Sequence, residues 1–163
     1  MLGNHDAKVI SLMAPSGSVE SAALSKSPHH QKVADSLGPE DWAYLAALPL
    51  WLRLPEYDAI VVHGGLVPGV APEDQARSCL LNLRSITAEG LPSTKVREGN
   101  AWASLWRGPE HVIFGHDAVR GLQKYPLATG LDTGCVYGRA LTALILPERK
   151  LVSVPARSAY VPF

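Results

Sequence analysis

The chain has 163 residues, in which 15 Lys and Arg balance 15 Asp and Glu and 47% of positions are hydrophobic. That composition suits a single compact domain, and a formal charge of zero gives no electrostatic reason to expect DNA or a membrane surface as partner. Two cysteines, Cys79 and Cys135, are too few for a thiolate zinc cluster or a disulfide framework, so a reducing compartment, the cytoplasm, is the expected location.

In chain order, the first feature is LGNHD at residues 2–6, where Asn4 and His5 stand side by side after a glycine. No cationic segment followed by an apolar one opens the chain, so no secretory signal is expected. Ser11 to Leu37 is rich in Ser, Ala, Pro and His and reads as a mobile surface insertion (11–37) with short helical pieces. In SLGPEDWAYLAALPLWLRL, Pro39 suits a first helical turn and Glu40 and Asp41 suit a positive helix N-terminus. Trp42, Leu45, Ala46 and Leu48 then form an apolar face, which predicts a helix of about ten residues ending near Pro49. The longest apolar run, Ala46 to Leu54, is interrupted by Pro49 and Arg53 and falls short of the ~20 apolar residues needed to span a bilayer.

YDAIVVHGG and EHVIFGHD are each a short β-branched apolar run broken by His and Gly, the pattern of a buried strand entering a loop. Between them Pro72 to Ser85 is helix-like, and Leu91 to Trp106 reads as loop with a short Trp-containing helix. Strands are expected near Asp58–His63, His111–Gly115, Ala128–Asp132, Ala140–Leu146 and Leu151–Val154, the last two forming a hairpin around Pro147 to Lys150.

Three stretches then share a structural address: Asn4-His5, His63-Gly64-Gly65 and Gly115-His116-Asp117. His63 and His116 each close an apolar strand, and loops at strand carboxyl ends are where functional groups converge in α/β sheets. Neutral imidazoles with a side-chain amide oxygen make a mixed N/O donor set for Mn, Zn, Fe, Co or Mg, and flanking glycines let backbone approach a metal or phosphate. Such chemistry suits a phosphoester hydrolase.

GNHD, VVHGGLVPG, IFGHDAVRGLQ and TGLDTGCVYGRALTALIL, in that order, resemble the later motifs of calcineurin-like metallophosphoesterases, most closely the ApaH-like phosphatases related to symmetrical diadenosine tetraphosphate hydrolases and phosphoprotein phosphatases. The resemblance implies an α/β fold, a metallophosphoesterase-type β-sandwich flanked by helices. It further implies a dinuclear site in which Asn4, His63 and His116 bind the second metal and His5 protonates the leaving oxygen. Relatives carry two upstream motifs, Gly-Asp-x-His-Gly and Gly-Asp-x-x-x-x-(Arg or Lys)-Gly, which supply the first metal's ligands and the bridging Asp. This sequence contains neither "GD" nor "DxH". The resemblance therefore implies an N-terminally incomplete fold that binds at most one metal, weakly, and lacks the Asp that would orient His5.

Arg84 and Arg120 are candidates to meet phosphate oxygens through bidentate forks, with a solvated or salt-bridged helical Arg the alternative for Arg84. Asp132 reads as a turn residue, while the resemblance places its loop at the rim of the cleft, with Tyr137 able to stack on a base or pack on the rim. Trp102 and Trp106 read as one face of a helix packing on the core, and His29, His30 and His111 as solvated. Two functions follow. One is the carboxyl part of a metal-dependent phosphatase acting on dinucleoside polyphosphates, polyphosphate, capped RNA ends or phosphoproteins, with little activity alone. The other is an inactive binding or regulatory module built on the same fold.

Overall fold

The computed structural model describes residues 1–13 and 28–162; the central part of the expected 11–37 insertion lies outside the described residues. The architecture is mixed α/β. Among the described residues, helix α1 (Asn4–Ser11) is followed by α2 (Pro28–Ser36) and α3 (Pro39–Ala47), then strands β1 (Trp51–Leu54) and β2 (Ala59–Val62), and helix α4 (Arg77–Asn82). The two-residue strands β3 (Ser85–Ile86), β4 (Pro92–Ser93) and β5 (Asn100–Ala101) precede the short helix α5 (Trp102–Leu105). The remaining strands are β6 (His111–Phe114), β7 (Gln123–Tyr125), β8 (Ala128–Gly130), β9 (Ala140–Ile145) and β10 (Lys150–Pro155).

The main sheet has the order β1-β2-β6-β8-β7, with β2, β6 and β8 parallel and the outer strands antiparallel. Parallel central strands are covered on both faces and read as continuous apolar runs. AIVV and HVIF do so, and Ile60, Val62 and Val112 are fully buried. They join Leu66, Leu80, Leu83, Phe114 and Trp102 in one core, each large apolar side chain contributing about 1.5–3 kcal/mol of transfer free energy. Trp102 packs against Phe114 at 4.8 Å between ring centres and edge-on against Trp106 at 6.5 Å. The expected Trp face is therefore part of the core.

The predicted helix after Gly38 forms with Pro39 in its first turn, and the Asp41 carboxylate accepts the Gly38 amide proton at 2.9 Å. Strand β1 has no counterpart among the expected elements. Past Pro49 the chain turns to pair Trp51 through Leu54 with Val62 through Ala59, an antiparallel pairing of neighbouring strands that the short run WLRL does not announce. The helix expected over Pro72 to Ser85 is divided into a single 3-10 turn (Pro72–Asp74) and α4. Gln75 breaks it. Its side-chain amide folds back, accepting from the Val67 amide at 2.9 Å and donating to the Val67 and Val70 carbonyls at 3.0 and 2.9 Å, and its own backbone is extended.

His111 is buried in β6, against the expectation of a solvated side chain. Nε2 lies 2.9 Å from Thr129 Oγ1 of the adjacent strand, and Nδ1 lies 3.3 Å from a nitrogen of Arg149. Because Arg149 can only donate, Nδ1 is the bare nitrogen and Nε2 carries the proton. The predicted hairpin is present as β9-β10, paired in register from Ala140↔Pro155 to Ile145↔Lys150.

Candidate functional site

The parallel register of the main sheet brings separated sequence stretches to one edge. Val62 pairs with Phe114, and Phe114 with Gly130, so the residues leaving β2, β6 and β8 emerge side by side: His63, then Gly115-His116, then Leu131-Asp132. Backbone bonds from Gly115 to the His63 carbonyl (3.0 Å) and from Leu131 to the Phe114 carbonyl (2.8 Å) continue the ladder past the strand ends. His116 adopts a left-handed conformation (φ 65°), rare for a non-glycine residue and frequent where function holds a side chain in place.

The glycines after His63 answer a packing demand. A β-carbon on Gly64 would lie 2.6 Å from the Asn82 backbone nitrogen, and one on Gly65 would lie 2.4 Å from the Trp102 indole nitrogen. Only glycine lets the loop pass between α4 and the core.

Helix α1 completes this edge of the molecule. Leu2 is buried and its amide donates to the Pro49 carbonyl at 2.8 Å, while the Asp6 carboxylate accepts the Gly3 amide at 2.9 Å. A β-carbon on Gly3 would stand 3.2 Å from the His63 ring, so the helix starts against that imidazole. Asn4, its first residue, places Oδ1 2.8 Å from His63 Nε2. The His63 and His116 rings are 5.1 Å apart. The His116 Nε2 atom is buried and has no hydrogen-bond partner.

Electrostatics keep both imidazoles neutral. Burial lowers the His63 pKa, against the pull of the Asp6 and Asp132 carboxylates; burial, then Arg84 and His63, push that of His116 down to about 3, while a hydrogen-bonding contact with the Asn82 backbone acts the other way. A neutral imidazole with a bare, buried nitrogen beside an amide oxygen and a second imidazole is the donor chemistry that a divalent ion takes. The set has only two imidazoles. Among the described residues no group of three His, Cys, Asp or Glu side chains comes together as a metal cluster.

These groups line a cleft of about 410 Å³ with His5, Arg84, Asp132 and Tyr137, and with an apolar wall that includes Val119, Val136 and Pro162. Arg84 follows α4; it donates to the Thr94 and His116 carbonyls at 3.0 and 3.3 Å, and its Nε is buried without a hydrogen bond. Asp132 shows both features foreseen for it, a turn bond from the Gly134 amide (3.1 Å) and a place on the cleft.

Arg120 is not brought to the cleft. Its guanidinium is engaged by the buried Asp117 carboxylate, the Ser85 hydroxyl (2.9 Å) and the Arg84 and Val96 carbonyls (3.1 and 2.7 Å). The four-residue spacing from His116 marks a brace under the His116 loop. His30, expected to be solvated, places Nε2 2.9 Å from His5 Nδ1, with the rings 5.0 Å apart and 29° from parallel. Asp6 escaped the sequence reading although its place at the third position of α1 signals a capping carboxylate.

No family model matches the chain. It is 34% identical over 118 residues to a bis(5'-nucleosyl)-tetraphosphatase PrpE (asymmetrical) from Geobacillus sp. strain WCH70, a match covering 71% of this chain and 47% of the relative. The enzyme of the same name from Halalkalibacterium halodurans is 33% identical over 115 residues, covering 69% and 46%. A solved structure described provisionally as a diadenosine tetraphosphatase superposes with a TM-score of 0.81 at 37% identity, covering 96% of this chain and 67% of that one. The chain belongs to the family of these tetraphosphatases. It spans about half the length of the curated relatives it matches. No helix among the described residues is long and apolar enough to cross a membrane.

Proposed function

We propose that this chain forms one side of a metal-dependent phosphoanhydride-hydrolysing centre of the calcineurin-like, ApaH-like type, with a dinucleoside polyphosphate as substrate and the cytoplasm as its location. The observation that carries the reading is that Asn4 Oδ1 and His63 Nε2 lie 2.8 Å apart, with the His116 ring and its unpartnered, buried Nε2 next to His63, in the lining of one cleft. Asn4, His63 and His116 would hold one divalent ion. Such an ion supplies Lewis acidity, polarising a phosphate oxygen and lowering the pKa of a bound water.

The rest belongs to the chain's own side chains. Arg84 brings a fixed positive charge to the phosphate end of the cleft, and Tyr137 with its apolar neighbours offers a stacking surface to a nucleobase. His5 is the proton donor to the departing oxygen, a role worth typically 10²–10⁴-fold in rate. Three neutral ligands leave the charge of a second ion without a bridging carboxylate, so the 163-residue chain alone is expected to turn over weakly or not at all.

The test combines calorimetric titration of Mn²⁺ or Co²⁺ with chromatography of products from diadenosine tetraphosphate. Weak metal binding by the chain, lost in His63→Ala, and turnover appearing when a segment with the two missing motifs is supplied, support the reading. ATP and AMP as products mean asymmetrical cleavage, the mode in the relatives' names; two ADP mean the symmetrical mode of the ApaH type. Metal binding without turnover in any pairing favours the inactive-module alternative. No metal binding at millimolar concentration overturns the proposed centre.

A further inference from the structure

The sequence resemblance assigns His5 a proton-donor role and offers no carboxylate to hold its ring. The fold brings another partner. Helix α2 packs on α1, and His30 Nε2 lies 2.9 Å from His5 Nδ1 with the two rings 5.0 Å apart and tilted by 29°. With ring centres 5.0 Å apart and the two nitrogens 2.9 Å apart, the nitrogens lie between the rings, as a ring-to-ring N–H···N hydrogen bond requires. His29, the adjacent residue of α2, is exposed, so α2 offers one histidine inward and one to solvent.

We propose that His30 is the positioning residue for His5: its bare Nε2 accepts the Nδ1 proton of His5 and fixes the His5 ring so that Nε2 serves the cleft. The proposal rests on the reading of His5 as proton donor given above. A proton-donating imidazole must keep one N–H after it gives up the other. A ring anchored through Nδ1–H does so, passing the Nε2 proton to the leaving oxygen and ending neutral with Nδ1–H intact. The anchor must then be an acceptor. His30 meets that requirement, because burial first and then the neighbouring His5, Lys8 and His29 side chains lower its pKa from the ordinary value and favour the neutral ring. A neutral His30 with Nε2 bare carries its own proton on Nδ1, the less common tautomer of free imidazole, so the arrangement leaves a spectroscopic mark.

The mark can be read without any turnover. Long-range ¹⁵N correlation spectra of the full chain at neutral pH should show His30 as the Nδ1–H tautomer and a protonated Nδ1 on His5. His30→Phe keeps a ring on α2 but has no acceptor, and should return His5 to the ordinary mixture dominated by Nε2–H. His30→Gln, which can accept through its amide oxygen, should restore the Nδ1–H form, and His29→Phe should leave His5 unchanged. A His5 tautomer population identical in the natural chain and in His30→Phe overturns the proposal, as does an Nε2–H tautomer on His30. A lost His5 signature in His30→Phe counts only with unchanged thermal unfolding, and the Gln variant decides where Phe fails to fold.

Where a pairing with the missing motifs, made with Ala in place of the Asp that would orient His5, gives turnover, His30→Phe should lower kcat on phenyl phosphate roughly tenfold with KM unchanged, the scale on which an outer partner acts. On p-nitrophenyl phosphate, whose leaving group needs little protonation, the loss should stay under about twofold. Equal losses on both substrates count against positioning. Tautomer shifts as expected with no turnover in any pairing uphold the His30 contact and defeat the proton-donor reading of His5 instead.

Discussion

The parallel strands β2, β6 and β8 and the hairpin β9-β10 are built from similar apolar residues, yet they end in different environments. Every residue of β6 and β8 is buried, and in β2 all but Val61. In the hairpin the face carrying Leu141, Ile145, Val152 and Val154 is exposed, between 42% and 60%, and only Thr142 is buried. A strand with neighbours on both edges and cover on both faces holds the residues at its carboxyl end in place, which is why the candidate site grows from β2, β6 and β8. A two-stranded ribbon has no such support.

That contrast can be broken at its most rigid point first. Asp117 sits under the His116 loop, 5% exposed, with Arg120 as its ion-pair partner. Asp117→Ala strands a guanidinium whose other contacts are neutral, and is expected to cost about 3–5 kcal/mol by urea unfolding. Loss of under 1 kcal/mol would show that the loop is not braced there. Ile60→Ala in β2 should cost about 2–5 kcal/mol, whereas Ile145→Ala in the hairpin, half-exposed, should cost under about 1 kcal/mol. Equal costs would erase the distinction.

Gly65→Ala comes next, at about 1–3 kcal/mol, because its methyl group meets the Trp102 ring, which the core does not let move. A shift in Trp fluorescence should accompany it.

The pH dependence sharpens the comparison on the stable side. Burial first, and then Arg149, lower the His111 pKa below the ordinary 6.5. A depressed imidazole pKa means that the unfolded chain binds the proton more readily than the folded one. The neutral form is fully compatible with folding above the unfolded pKa, and stability falls as pH drops through about 6.5 toward the lowered value. His111→Gln should flatten the slope of unfolding free energy in that window, and an unaltered slope would mean that His111 is already solvated in the fold. The smallest effect is expected for Val152→Thr on the open hairpin face, within about 0.5 kcal/mol.

The site was legible where chemistry and strand ends coincide. HGG after AIVV and GH after HVIF mark a buried strand delivering an imidazole, and NHD supplies an amide and a third imidazole, although the helix that presents them was not among the expected elements. Asn4, His5, His63, His116, Arg84 and Tyr137 all reach the cleft. Arg120 did not follow, because sequence spacing says which residues are near His116 and not which way a guanidinium turns. Asp117 and the Ser85, Arg84 and Val96 backbone and hydroxyl groups decide that, from as far as 36 residues away.

By itself the sequence determined what depends on local order: the apolar runs of β2 and β6, the bounds of α3 set by Pro39 and Pro49, the hairpin around Pro147 to Lys150, and the donor types at the strand ends. Only the tertiary structure decided β1, the burial of His111, the bracing role of Arg120 and the meeting of His5 with His30. The last three depend on partners distant in sequence and β1 on its pairing with the neighbouring β2, and such hydrogen bonds carry no periodicity that a linear reading can detect.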